Sequence, residues 1–160
     1  MGYITFEDFS LKWRFSEEEY NKLPTTDLNK IKPLSISYSK KCWSNWISNK
    51  YGHLMKINAL PGTDVLHYND CGWGDPEKEC QTVNFLQDNI LISKEAIITF
   101  FWSESCSVET TWGVFLKYWT DFCYPSDDSN VIIIHDYPLA VIYIEDKLWI
   151  VNRAEYFGSC

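Results

Sequence analysis

The spacing of hydrophobic positions differs between the two halves of the chain. Apolar side chains recur every three or four positions between residues 37 and 51, which predicts a helix with one broad apolar face. Ser16-Glu17-Glu18-Glu19 has the form of a capping box and predicts a short helix that ends before Pro24. Asp75-Pro76-Glu77 combines a capping residue with Pro at the first helical position, so a third helix is expected from there to about Leu86.

Continuous apolar runs dominate the second half. Residues 95–103 are too apolar for a half-exposed strand, and residues 131–134 are apolar throughout, so both segments are predicted to be buried strands. Residues 139–144 and 147–152 are predicted to pair as a hairpin, with Glu145-Asp146 near the turn.

A last helix is predicted between these strands, because apolar residues recur at helical spacing from Val108 to Cys123. This assignment places Glu109 in the first helical turn, where a carboxylate interacts favourably with the helix dipole. Helices mainly in the N-terminal half and a largely antiparallel sheet in the C-terminal half indicate an α+β fold. A length of 160 residues fits one domain, so residues 1–160 are assigned to a single α+β domain.

The charge is distributed unevenly along the chain. Residues 1–50 contain eight Lys or Arg and six Asp or Glu, whereas residues 51–160 contain six and sixteen, for a net charge of -8. Such an acidic body repels phosphate backbones, so nucleic acid is not expected as a partner. It would attract a basic protein. The alternative is that the acidity only keeps the protein in solution.

The start of the chain lacks the cationic and apolar regions of a secretory signal, and its apolar runs are too short to cross a bilayer. A cytoplasmic protein without a membrane partner is therefore expected. The six Cys should then be reduced thiols, with Cys42 and Cys123 as buried apolar residues.

The candidates for chemistry are few. His67, Cys71 and Cys80 could hold zinc, but their spacing matches no known finger and a fourth ligand is not apparent. Cys71 or Cys106 could pair with His67 or His135 for thiol catalysis, although nothing beside either Cys resembles a nucleophile motif. No metal, cofactor or catalytic residue is assigned on this basis.

Two separated segments carry a family resemblance. The first contains Lys12-Trp13-Arg14-Phe15 and Lys30-Ile31-Lys32-Pro33, and the second is the string Glu109-Thr110-Thr111-Trp112-Gly113-Val114-Phe115. With these segments, residues 3–130 resemble a family of small bacterial proteins of unknown function. The resemblance implies no activity and transfers no catalytic residue. In size and acidity the chain is also similar to the immunity proteins of contact-dependent toxin systems.

The hypothesis that follows is an immunity protein that binds and neutralises a cognate bacterial toxin, expected to be a basic nuclease domain. Acidic side chains would steer the toxin and exposed aromatic side chains would anchor it. The predicted partner-binding residues are acids of the polar middle and of the loop at 125–129: Asp70, Asp75, Glu77, Asp127 and Asp128. The alternatives are a small enzyme that uses the His67 and Cys71 region or Glu109, and a housekeeping protein-interaction module.

Overall fold

The computed structural model describes residues 2–54, 66–68 and 70–157. Seven strands are found in this part of the chain: β1 (Lys32–Pro33), β2 (Leu66–Tyr68), β3 (Ile97–Ser103), β4 (Cys106–Thr111), β5 (Asn130–Ile134), β6 (Leu139–Ile144) and β7 (Lys147–Asn152). They form one sheet in the order β1-β4-β3-β5-β6-β7-β2, and every neighbouring pair is antiparallel.

Helices accompany the strands on both sides. They are α1 (Trp13–Ser16), α2 (Thr25–Leu28), α3 (Ile36–Trp46), α4 (Pro76–Asn89), α5 (Trp112–Phe122) and α6 (Arg153–Phe157), with a 3₁₀ turn at Phe6–Asp8. Most helices precede most strands, so the predicted α+β fold with a largely antiparallel sheet is confirmed. No helix in the described ranges is long and apolar enough to cross a membrane.

The sheet is covered on both faces. Phe100, Ile132 and Val141 pack with α1, α4 and α5 in the larger apolar cluster, whereas Phe101 and Ile133 pack against α3 in the smaller one. Successive residues of a strand point to opposite faces, so a strand buried on both sides must be apolar throughout. This arrangement explains the continuous apolar runs in β3 and β5, both of which were predicted as buried strands.

The closing hairpin is also confirmed. Strands β6 and β7 pair from Leu139 with Asn152 to Ile144 with Lys147. Glu145 and Asp146 both have positive φ, at 49° and 59°, which is the pattern of a type I′ turn without its usual glycine.

The helix predicted after Ser16 is wrong. Helix α1 ends at Ser16, and Glu17 is already extended, with φ of -107° and ψ of 137°. The Ser16 hydroxyl does not cap a following helix, because it donates back to the carbonyl of Lys12 at 2.8 Å. Phe15 is fully buried in the core, and this tertiary packing overrides the local capping signal.

The helix predicted from Val108 to Cys123 starts four residues too early. Residues 106–111 form β4, in which Val108 pairs with Phe100 of β3 and Glu109 with Thr99. The side chain of Thr111 accepts a hydrogen bond from the amide of Val114 and caps α5. Glu109 is therefore a strand residue, and the helix-dipole role expected for it is wrong.

The other helix predictions differ only at their ends. Helix α4 begins at Pro76 behind the cap Asp75, as predicted, and continues three residues beyond Leu86. Helix α3 ends at Trp46 rather than near Tyr51. The chain turns back after Ile47, which brings the carbonyl of Tyr51 to 2.8 Å from the indole nitrogen of Trp43.

Candidate partner-binding surface

Four aromatic side chains form a continuous series beside the C-terminal end of α5, here called the aromatic row. Tyr20 lies against Trp13 with ring centroids 4.6 Å apart, Trp13 lies 6.0 Å from Tyr124, and Tyr124 lies 5.5 Å from Trp73. Tyr20 is 51% exposed and Trp73 is 42% exposed, whereas the two inner rings are half-buried. The row thus presents apolar area to solvent while each ring is held by a neighbour.

Local structure fixes the Trp73 end of the row. Trp73 lies in a tight turn between Gly72 and Gly74, whose φ angles are 75° and 90°. Its indole nitrogen donates to the carbonyl of Thr120 in α5 at 2.8 Å, which ties the turn to the helix. Tyr20 follows α1 in the loop that the capping-box prediction had assigned to a helix.

A buried arginine supports the centre of the row. The guanidinium of Arg14 makes two hydrogen bonds to the carboxylate of Asp127, at 2.8 and 3.1 Å, and a third to the carbonyl of Phe122. Its central carbon lies 4.0 Å from the centroid of the Tyr124 ring. A planar guanidinium suits both the paired carboxylate and the aromatic face. Arg14 therefore fixes α1, Tyr124 and the 125–129 loop in one arrangement.

Four of the five acids predicted to bind a partner are exposed. Asp70, Asp75 and Glu77 lie on either side of Trp73 in the chain, and Asp128 lies in the 125–129 loop that follows Tyr124. The Asp75 side chain accepts hydrogen bonds from the amides of Glu77 and Lys78 at the start of α4. In the chain, these exposed acids are thus near neighbours of Trp73 and Tyr124, two rings of the row.

Asp127, the fifth predicted acid, has a structural role inside the fold. Its side chain is only 14% exposed in the ion pair with Arg14, and it also accepts from the amide of Tyr124 at 3.0 Å. A carboxylate held by this many donors is not available to a cation of a partner.

Asp146 is an acid of this surface that the sequence did not indicate. Its carboxylate accepts hydrogen bonds from the amide of Gly72 at 3.0 Å and from the hydroxyl of Tyr143 at 2.9 Å. The hairpin turn thereby stabilises the turn at Trp73, although the two segments are more than seventy residues apart in sequence. No local pattern around Asp146 could have revealed a contact of this kind.

Positive charge around the row is limited. Lys78 pairs with Asp70 at 2.6 Å, and this contact raises the pKa of the lysine. Arg14 is occupied by Asp127, and Lys22 adds an exposed charge beyond Tyr20. Asp121 is buried below the surface, where desolvation raises its pKa, and it accepts from the Asn21 amide at 2.8 Å. The exposed charged residues that neighbour the row in the chain are therefore predominantly acidic.

The thiols considered for catalysis are poorly placed for it. Cys71 is fully buried, and desolvation raises its pKa to about 12, which keeps it protonated at neutral pH. Cys80 is exposed on α4, and the His67 side chain lies outside the described residues. No group of three or more metal-binding side chains is found in the ranges that the structure describes.

Cys106 and His135 belong to opposite ends of β3. Cys106 pairs with Ser103, whereas the amide of His135 bonds to the carbonyl of Ile97. Six residues of strand separate these levels, roughly 20 Å, so the thiol and the imidazole cannot act together.

Glu109 and His135 have separate hydrogen-bond partners. Glu109 accepts from the hydroxyl of Tyr3 at 2.9 Å, and burial is the main cause that raises the tyrosine pKa to about 12. The Nε2 atom of His135 shares a 2.8 Å hydrogen bond with Thr99, and burial lowers the pKa of the ring. These contacts account for both groups as parts of the packing between α3 and the sheet.

The segments that carry the resemblance noted in the sequence all lie within the described fold. The family profile of DUF2947, proteins of unknown function, matches residues 3–149. The chain belongs to the DUF2947 family. This match reaches from the isolated bridge at Tyr3 to Trp149 in β7, so it includes the first six strands, part of β7 and the aromatic row. No curated protein and no solved structure matches the chain significantly.

Proposed function

We propose that this DUF2947 protein is a binding module whose aromatic row docks on a basic partner protein. The observation that carries the proposal is the combination of exposed Tyr20 and Trp73 with exposed acids that flank Trp73 and Tyr124 in the chain. Aromatic side chains are enriched at the energetic centres of protein interfaces, whereas acids at the rim steer the approach of basic partners.

The row is suited to binding because its rings are already ordered. Trp73 is held by the Thr120 carbonyl, and Tyr124 is held between Trp13 and the Arg14 guanidinium. A side chain that is fixed before binding loses little conformational entropy when a partner covers it. Exposed apolar area on rigid rings is therefore available to stabilise a complex.

The charge of the chain favours a basic partner. Residues 51–160 contain sixteen acidic and six basic residues, and they supply the exposed acids Asp70, Asp75, Glu77 and Asp128. Potentials of this sign raise association rates for proteins of opposite charge, and the gain falls with salt.

We propose further that the partner is a bacterial toxin domain and that the protein is its cognate immunity protein. Nuclease domains present basic side chains to a phosphate backbone, and an acidic surface with aromatic anchors complements such a site. Binding there would exclude the nucleic acid and neutralise the enzyme.

Co-expression tests this proposal. The protein encoded beside this one would be produced in a host cell alone, with the wild-type chain, and with the double variant Tyr20→Ser, Trp73→Ser. We expect growth arrest alone, rescue and co-purification with the wild type, and loss of both with the variant. Tyr137→Ser is the matched control, because Tyr137 is similarly exposed, at 38%, but follows the far end of β5.

The possible outcomes test three parts of the proposal separately: toxin immunity, partner binding and the position of the docking surface. A neighbour that co-purifies without toxicity would replace the immunity assignment with a housekeeping interaction module. A neighbour that neither co-purifies nor arrests growth would contradict the toxin assignment. Equal loss of binding in Tyr137→Ser would show that the row is not the docking surface.

A further inference from the structure

A second surface feature, independent of the aromatic row, is an open groove along the N-terminal half of α5. Its first section has a volume of about 410 Å³ and is lined by polar side chains that include Asp27, Lys30, Lys94 and Lys117. A second section of about 380 Å³ shares Lys94 with the first and continues along the end of α4. Both volumes fall within the range of roughly 300–1,000 Å³ that is typical of small-molecule sites.

The polar section has unpaired positive charge. Lys117 pairs with Asp27 at 3.2 Å, and the hydroxyl of Tyr118 also donates to this carboxylate. These contacts lower the pKa of Asp27, with the Tyr118 hydrogen bond as the largest cause, so the pair is internally neutral. Lys30 and Lys94 form no ion pair within the described residues.

One acid partly offsets these two lysines. Glu95 also lines the polar section, so the free charge there is one positive unit in a chain whose net charge is -8. A site with one net positive charge favours a ligand with a single negative charge.

The helix start adds to the positive potential. The amide of Gly113 is occupied by the carbonyl of Lys94 at 2.8 Å, and the amide of Val114 by the Thr111 hydroxyl at 3.3 Å. Since these first amides already have acceptors, α5 contributes its dipole rather than free donors. The lysine ammonium groups would make the direct contacts with an anion.

The second section is apolar. Besides Gln87 and Lys94, it is lined by Ile90, Leu91, Ile92, Trp112 and Leu116. Leu91 is 85% exposed, so most of its apolar area is in contact with water. An aliphatic chain lying against Leu91 would remove this area from water.

We propose that the groove binds an amphipathic carboxylate, with the anion at Lys30 and Lys94 and an unbranched alkyl tail along Leu91 and Leu116. The single positive charge matches a carboxylate, and the apolar extension beyond Lys94 matches a tail rather than a compact anion. The groove shares no residue with the aromatic row, so this proposal and the partner-binding proposal are tested independently.

Titration with decanoate tests the site, with amide shifts of the ¹⁵N-labelled full chain as the readout. We expect saturable shifts centred on Leu91, Gly113 and Leu116, with a Kd below about 1 mM. Decanol, which has the same tail without the charge, should bind at least about threefold more weakly, as expected for loss of an exposed ionic contact.

Variants locate the two ends of the ligand. Lys94→Gln should weaken decanoate binding about threefold but leave decanol binding unchanged, because only the ionic contact is removed. Leu91→Ser should weaken both ligands by about tenfold through loss of apolar contact. Lys40→Gln is the matched control, since Lys40 is exposed on α3 at the other face of the sheet.

Three results would overturn the proposal. They are an absence of saturable shifts, shifts centred away from the groove, and decanol binding as tightly as decanoate. Equal weakening by Lys94→Gln and Lys40→Gln would show a general effect of net charge instead of a site.

Discussion

Gly72 shows how a single residue determines the shape of the binding surface. Its φ is 75°, and a Cβ atom placed there would lie 2.1 Å from the Cβ of Lys78. Gly74 has a φ of 90° but open space where its Cβ would be. Both positions resist side chains for conformational reasons, and only Gly72 also resists them for steric reasons.

We therefore predict that Gly74→Ala lowers the free energy of unfolding by about 1 kcal/mol. Gly72→Ala should lose about 2 kcal/mol more, because the turn and the first turn of α4 must move apart. Chemical denaturation monitored by tryptophan fluorescence measures both values. If both variants lose the same free energy of unfolding, the Lys78 side chain moves away from the new methyl group without loss of stability.

Asp27 is a second residue with a measurable consequence. Since its folded-state pKa lies below the ordinary value of 3.8, its contribution to stability is present above that value and is lost as pH falls through the folded-state pKa. Asp27→Asn should thus lower stability by about 1 kcal/mol at neutral pH, with the difference disappearing in acid.

The measurement is the free energy of unfolding of both proteins between neutral pH and about pH 2.5. Asp88→Asn, an exposed change in the last turn of α4, is the control for the removal of one carboxylate from the surface. A deficit in Asp27→Asn that persists undiminished into acid would exclude the ionised carboxylate as its source.

At the scale of elements, the turn of the closing hairpin is suboptimal at only one of its two positions. Glu145 and Asp146 both have positive φ, which favours Asn or Gly, but Asp146 also binds the Gly72 amide and the Tyr143 hydroxyl. Glu145→Asn should raise the free energy of unfolding by about 0.5 kcal/mol. Asp146→Gly should lower it despite the favourable backbone, because two buried donors lose their acceptor.

Thermal unfolding of these two variants gives the test. Opposite signs are expected, with the melting temperature higher for Glu145→Asn and lower for Asp146→Gly. The same sign in both would mean that backbone conformation alone governs the turn.

Elements with local signals could be predicted from sequence, and those set by tertiary contacts could not. Asp75 and Pro76 marked the start of α4, and the apolar runs marked β3 and β5, because capping and double-sided burial act within a few residues. The helix predicted from the capping box at Ser16 is wrong because Phe15 is buried in the core, and this packing determines the local backbone. The helix start predicted at Val108 is wrong because this residue, despite its helical spacing from the next apolar residues, pairs with Phe100 in the sheet.

The candidate site was predictable in its charges but not in its geometry. Asp70, Asp75, Glu77 and Asp128 could be identified from polarity, and all are exposed. Asp127 could not be distinguished from them, because its partner Arg14 lies far away in sequence. The aromatic row draws its rings from three separated segments, so no window of sequence contains it.

At the scale of the whole molecule, the two-sided sheet explains why the candidate binding surface occurs at its helical border. Helices cover both sheet faces, so exposed apolar area remains mainly where helix ends and turns meet, as at Tyr20 and Trp73. Exposed Asp70, Asp75 and Glu77 flank Trp73 in the chain. The account's central claim is that this combination binds a basic protein.

Its most direct test is the Kd of the purified neighbouring protein, measured by calorimetry against the wild type, Tyr20→Ser with Trp73→Ser, and Tyr137→Ser. The account predicts that the double variant binds at least about tenfold more weakly, that Tyr137→Ser binds like the wild type, and that added salt weakens the wild-type complex. A double variant that binds as tightly as the wild type, in a complex insensitive to salt, would contradict it.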